Sequence, residues 1–158
     1  MCHGFPCLTL GKLNACGDRV LDRHRVEFLD LLTPKEVHEL ASNPSIRILQ
    51  TARPVLLPTW ELLNQNLFAL RPDIELRVYG FYSSTCDLSF VKGMSNVRRF
   101  SADCLMRAVG IEHLAALENL EELSIGIFNL DNFDFLTTLH VILGAGVLRV
   151  FKCGIMVI

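Results

Sequence analysis

Five histidines and six cysteines are the residues best suited to carry chemistry in this 158-residue chain. His38-Glu39 opens the pattern H-E-x-x-H, in which two imidazoles one helical turn apart hold zinc and the Glu acts as a base. The second imidazole is missing, because the position is Ser42. Cys2, His3, Cys7 and Cys16 read C-H-x3-C-x8-C, which departs from the paired C-x2-4-C spacing of zinc sites. The sequence holds no nucleophile elbow G-x-S-x-G, no P-loop and no G-x-G-x-x-G, and Gly144-Ala-Gly146 is too short to cradle a phosphate. Cys86 and Cys104 read as packing thiols. The expectation is a non-enzyme with no catalytic residue, no metal and no cofactor.

Charge and hydropathy narrow the partner class. Lys and Arg number 15 against 17 Asp and Glu, a formal net charge of −2. That excludes a dominant basic face, and nucleic acid with it. The chain is 51% hydrophobic and 20% charged, with a mean hydropathy of +0.36, ample for a packed core. Gly4, Pro6, Gly11 and Lys12 interrupt the N-terminus, which makes a poor secretory signal. The irregular cysteine spacing is not a disulfide framework. A reducing, cytoplasmic location is expected. The apolar tail 139–158 is of membrane length but includes Arg149 and Lys152. Each costs about 2.5–3.5 kcal/mol at the centre of a spanning helix, so no membrane segment is expected.

The elements that would position any site come from an internal repeat. Segments beginning at Asp87, Gly110 and Asn132 align at offsets of 23 and then 22 residues. Their apolar columns are Leu88/Ile111/Phe133, Val91/Leu114/Leu136, Met94/Leu117/Leu139, Val97/Leu120/Ile142, Phe100/Leu123/Ala145 and Ala102/Ile125/Val147. His113 falls in a seventh column with Phe90 and Phe135, which makes it a packed ring and not a base. Apolar residues three apart suit a helical or 3₁₀ turn, and the final pair, two apart, suits a strand. Each unit therefore predicts a short helical segment followed by a short strand. Neither buries its apolar side alone, so neighbours must stack.

The same offsets run upstream from Leu70, Leu40 and Val20. They predict six strands, at Val26–Phe28, Ile46–Ile48, Leu76–Val78, Phe100–Ala102, Leu123–Ile125 and Ala145–Val147. Two fuller helices belong to the early units. Thr33-Pro34-Lys35-Glu36 is a capping box that opens a helix to about Ser42. Pro58-Thr59-Trp60-Glu61 opens another that runs to about Leu70, with Trp60, Leu63 and Leu67 on one core-facing side.

Leu120-x-x-Leu123-x-Ile125-x-x-Phe128-x-Leu130 follows the leucine-rich-repeat signature. The stretch 87–125 resembles the short internalin-type repeat, also found in phosphatase-regulator leucine-rich-repeat proteins. One departure is that the usual Asn position holds Leu105 and then Phe128. The resemblance implies an α/β leucine-rich-repeat solenoid: a curved parallel sheet, with helices and 3₁₀ turns on its convex side. Residues 1–20 would form an N-terminal extension or partial cap. Residues 21–158 would form about five or six irregular repeats, clearest over 86–147.

The resemblance also implies a protein-interaction module that binds through its concave face. If Leu123 and Ile125 point inward, alternation presents Glu122, Ser124 and Gly126. The same rule presents Arg99, Ser101 and Asp103; then Glu75, Arg77 and Tyr79; then Ser45, Arg47 and Leu49; then Arg25 and Glu27. Three rows across the sheet follow: Arg47, Arg77, Ser101 and Ser124; Glu75, Arg99 and Glu122; Tyr79, Asp103 and Gly126. The expected contact residues are Arg47, Glu75, Arg77, Tyr79, Arg99, Ser101, Asp103, Glu122 and Ser124. Two other readings stay open, an inhibitor or immunity-type protein and a piece of a larger repeat scaffold with a mainly structural role.

The C-terminus carries no polar layer to cover the last core residues, although a terminal repeat needs one. An exposed apolar end that promotes self-association is one expectation, and a final edge strand at Val147–Phe151 is the other.

Overall fold

A computed structural model describes residues 19–28, 31–130, 132, 134–143 and 147–151. The chain is α/β. Strands β1 (Arg19–Asp22), β2 (Arg25–Glu27), β3 (Ile48–Thr51), β4 (Glu75–Tyr79), β6 (Arg99–Leu105), β8 (Glu122–Ile127) and β9 (Val147–Phe151) form one seven-stranded sheet in that spatial order. Only β1–β2 is antiparallel; every pairing from β2 to β9 is parallel. A second, two-stranded parallel sheet joins β5 (Thr85–Asp87) to β7 (Arg107–Val109). The repeat pattern had no place for it.

Parallel neighbours need a crossover. The crossovers are α1 (Pro34–Ser42), α2 (Leu57–Leu63) with a π turn at Asn64–Phe68, two 3₁₀ turns at Ser89–Gly93 and Ile111–Ala116, and α3 (Phe135–Leu143). Helix α1 begins as its sequence dictates. Thr33 Oγ1 accepts from Glu36 N at 3.3 Å, and Glu36 Oε2 accepts from Thr33 N at 2.7 Å. Leu32 and Val37, the two positions that form a hydrophobic staple, are both buried. Trp60, Leu63 and Leu67 are buried, as their shared helical face requires. Gly110 sits at φ +73° before the second 3₁₀ turn, where an added Cβ would meet Ser89 N at 3.1 Å.

The core is continuous and lies on one face of the sheet. Strand register aligns Val26, Leu49, Leu76, Phe100 and Leu123 in one column, and Thr51, Val78, Ala102 and Ile125 in the next; all are buried. Ile46, Ile74, Val97 and Leu120 lie under the entrances to their strands, also buried. Each large side chain contributes roughly 1.5–3 kcal/mol on burial.

Register corrects two of the sequence alignments. In the second unit the inward pair is Leu49 and Thr51, not Ile46 and Ile48. The upstream anchor is therefore Asn43, three residues after Leu40. Asn43 is polar and was invisible to an apolar pattern; its amide closes the turn by donating to Leu40 O at 3.2 Å. In the last unit Leu123 pairs with Leu148 and Ile125 with Val150, three residues later than the sequence alignment expects; Ala145 lies outside the described residues. The preceding segment is a nine-residue α-helix and not a 3₁₀ turn. An α-helix rises less per residue, so it uses more chain to cross the same distance. Val147–Phe151 does form the final strand at one edge of the sheet. Residues 152–158, on which an exposed apolar end partly rests, lie outside the described residues, as do Cys2, His3, Cys7 and Cys16. No helix among the described residues is long and apolar enough to cross a membrane.

Candidate functional site

The second face of the sheet is polar. Alternation along β4, β6 and β8 turns Glu75, Arg77 and Tyr79, then Arg99, Ser101 and Asp103, then Glu122 and Ser124, away from the core. The register sets Arg77 beside Ser101 and Ser101 beside Ser124. It sets Arg99 beside Glu122, Tyr79 beside Asp103, and Asp103 beside Gly126. These are the rows expected from the sequence, with one correction. The neighbour of Arg77 on β3 is Gln50, not Arg47. Arg47 precedes β3, and its guanidinium donates to Pro44 O at 2.7 Å and pairs with Asp73 at 3.3 Å. Leu49, expected outside, is fully buried.

The rows form a connected network. Arg77 Nε donates to Asp103 Oδ2 at 3.1 Å, and Arg77 Nη1 donates to Gln50 Oε1 at 3.3 Å. The Arg77 guanidinium carbon also lies 4.5 Å from the centre of the Tyr79 ring, within cation–π range. Asp103 uses its other oxygen to accept from Ser124 Oγ at 3.3 Å. Ser101 Oγ donates to Glu75 Oε1 in a short hydrogen bond. Arg99 Nε stands 3.2 Å from Glu122 Oε1. Arg77 and Asp103 are only 17% and 23% exposed, whereas Arg99 and Glu122 are 39% and 46% exposed. The inner pair is therefore a fixed scaffold, and the outer pair faces solvent.

Tyr82 extends the face beyond β4. It is largely exposed, and its ring meets Tyr79 edge-on with centroids 6.4 Å apart. Its phenol donates to Tyr79 Oη at 3.3 Å, and that bond, then desolvation, pushes the Tyr82 pKa up to about 12. Tyr82 is therefore neutral at ordinary pH. Sequence reasoning missed Tyr82 and Gln50. Tyr82 lies past the strand, where alternation gives no guidance, and Gln50 was hidden by the register error in β3.

The rows enclose a shallow groove of about 270 Å³, lined only by residues of or beside strands β3, β4, β6 and β8. Its two serines donate to carboxylates, not to an imidazole. His113 lies elsewhere, half-buried and 3.4 Å from Glu112. Cys86 is buried, and desolvation, then the Asp87 charge, pushes its thiol up to about 12, the opposite of an activated nucleophile. Among the described residues no three His, Cys, Asp or Glu side chains gather as a metal site. The arrangement offers fixed hydrogen-bond donors and acceptors of both signs beside two aromatic rings. No family model, curated protein or solved structure matches this chain.

Proposed function

We propose that the chain is an irregular leucine-rich-repeat solenoid that binds a partner protein through the polar face of its parallel sheet. One observation carries the reading. Parallel sheets are ordinarily covered on both faces and read apolar on both, yet the groove here is lined by strand residues alone and most of them are polar or charged. A face with Arg77 and Tyr79 anchored at its centre, and Arg99 and Glu122 open to solvent, has the composition of a protein-recognition surface. The inner network is already ordered, so binding there costs little side-chain entropy. No metal, cofactor, nucleic acid or membrane enters this reading, and the site of action is the cytoplasm.

The test exchanges the outer pair. Arg99→Glu with Glu122→Arg keeps an ion pair in place and reverses its direction. An exposed pair contributes about 0–1 kcal/mol, so the fold stays intact by circular dichroism and melting. The expected result is that a protein captured by the wild type is lost by about tenfold or more, because like charges then face each other across the interface. Lys35→Glu, on exposed α1, is the control and retains capture. Capture that survives the exchange and fails with Lys35→Glu overturns the reading.

A further inference from the structure

A second depression, of about 560 Å³, lies away from the polar face, between the start of α2 and the first 3₁₀ turn. Its volume falls within the range of small-molecule sites, about 300–1,000 Å³. Its interior is aromatic. Trp60 and Phe90 stack with ring centroids 4.0 Å apart and planes 11° apart, and Phe81 lines the same space. Two cations stand on the rim, Arg53 and Lys92, both exposed. Neither side chain makes a hydrogen bond or ion pair among the described residues. The one carboxylate among the rim residues, Asp87, accepts from Ser89 N at 2.8 Å through Oδ1; hydrogen bonding to Ser89, and to a lesser extent the field of Lys92, holds its pKa below the ordinary carboxylate value.

We infer that this depression is a binding site for a small carboxylate with an aromatic body. The ring would lie against Trp60, Phe90 and Phe81, where apolar surface and offset stacking favour it. The carboxylate would reach the rim, where Arg53 supplies a planar two-donor fork and Lys92 a point charge. An uncharged ligand of the same shape forgoes the charge-assisted contacts with Arg53 and Lys92 and gains only the apolar contact. This inference does not depend on the polar face, because the two sites share no residue.

Trp60 is the only tryptophan in the chain, so its fluorescence reports on this site alone. The probes are 4-phenylbutyrate and the uncharged 4-phenylbutyramide, titrated into the full chain, with calorimetry as a second readout. The expected result is saturable binding of the acid with a change in Trp60 emission, and binding of the amide about tenfold weaker, as loss of one charge-assisted contact predicts. The variant Arg53→Gln/Lys92→Gln alters only exposed side chains, and it should bring acid and amide to within about twofold of each other. Equal binding of both probes to the wild type overturns the anion selectivity. Calorimetric binding of the acid with Trp60 emission unchanged places the ligand elsewhere and overturns the site. No heat and no fluorescence change with either probe overturns it as well.

Discussion

Units of the sheet backed by 3₁₀ turns hold to nearly one length of chain, whereas units backed by α-helices differ among themselves. Equivalent strand residues Val26, Leu49, Leu76, Phe100, Leu123 and Leu148 are separated by 23, 27, 24, 23 and 25 residues. The longest interval carries α2 and its π turn, the 23-residue interval from Val26 to Leu49 carries α1, and the 23-residue interval from Phe100 to Leu123 carries β7 and a 3₁₀ turn. Strand spacing is constant, because hydrogen bonding between strands fixes it. All the variation is therefore pushed onto the helical side. The polar face stays regular, three rows in register, while the back changes thickness from unit to unit. The 560 Å³ depression lies at the step where α2 gives way to the first 3₁₀ turn, and the Trp60–Phe90 stack bridges that step.

If the strand columns are the common element, damage to them should outweigh anything done to the backing. Phe100 is fully buried in the middle of the sheet, between β4 and β8, and touches the Phe90 ring at 6.5 Å between centroids. Phe100→Ala is expected to cost about 3–5 kcal/mol, measured by urea unfolding. The polar-face substitution Ser124→Ala, on the neighbouring strand, should stay within about 1 kcal/mol. A Phe100→Ala cost no larger than that of Ser124→Ala would mean that the columns do not carry the fold.

The long interval has a device that the short ones lack. Arg71 pairs with Asp73 through two bonds of 2.8 Å, Nε to Oδ1 and Nη2 to Oδ2. It also donates to the carbonyls of Ala41, Asn43 and Ile46 at 3.2, 2.9 and 3.0 Å. One side chain thus ties the end of α1 and the entrance of β3 to the turn before β4. Arg71→Met should cost about 1–3 kcal/mol, since it leaves those carbonyls without their charged donor. The same pair sets a pH dependence. The Arg71 hydrogen bond, against some desolvation, holds Asp73 below the ordinary carboxylate value, so its contribution is complete above the unfolded value of about 3.9. It is lost as pH falls from there through the lower folded value. Asp73→Asn should remove that part of the acid limb from a plot of unfolding free energy against pH, and leave the slope above pH 5 unchanged.

What the sequence disclosed follows the same division. Strands β4, β6 and β8 and two of the three polar rows were legible, because alternation in these strands is strict and Phe100, Leu123 and Ile125 recur at fixed spacing; the parallel order was implied by the leucine-rich-repeat resemblance alone. The capping box at Thr33 was legible because its chemistry is local. What failed lay where polar residues hold structural positions and, before β9, where an α-helix takes the place of a 3₁₀ turn. Asn43 closes a turn that an apolar pattern assigned to Leu40, and the error moved β3 by three residues and put Arg47 where Gln50 belongs. The small sheet of β5 and β7 consists of two three-residue strands with a single buried side chain, Cys86, too little to leave a period. The depression beside Trp60 arises from a mismatch between neighbours and has no signature in either one.

Asparagines connecting adjacent units sharpen the comparison most finely. Asn96 and Asn119 hold equivalent places in the repeat, and each donates its side-chain Nδ2 back to the preceding unit: Asn96 to Asn64 O at 3.2 Å, Asn119 to Ser95 O at 2.8 Å. At the helix-backed boundary there is a second bond, in which Asn64 Oδ1 accepts from Asn96 N at 2.9 Å. Asn64 opens the π turn and is buried. Asn96→Ala and Asn119→Ala each remove one ordinary hydrogen bond and should each cost about 0.5–1.5 kcal/mol. Asn64→Ala strands a backbone amide with no replacement acceptor and should cost more, about 1–3 kcal/mol. Equal costs for Asn64→Ala and Asn119→Ala would show that the two kinds of boundary are stitched alike and differ only in length. A larger cost at Asn64 would show that the irregular unit is held by polar bonds that the regular ones do not need.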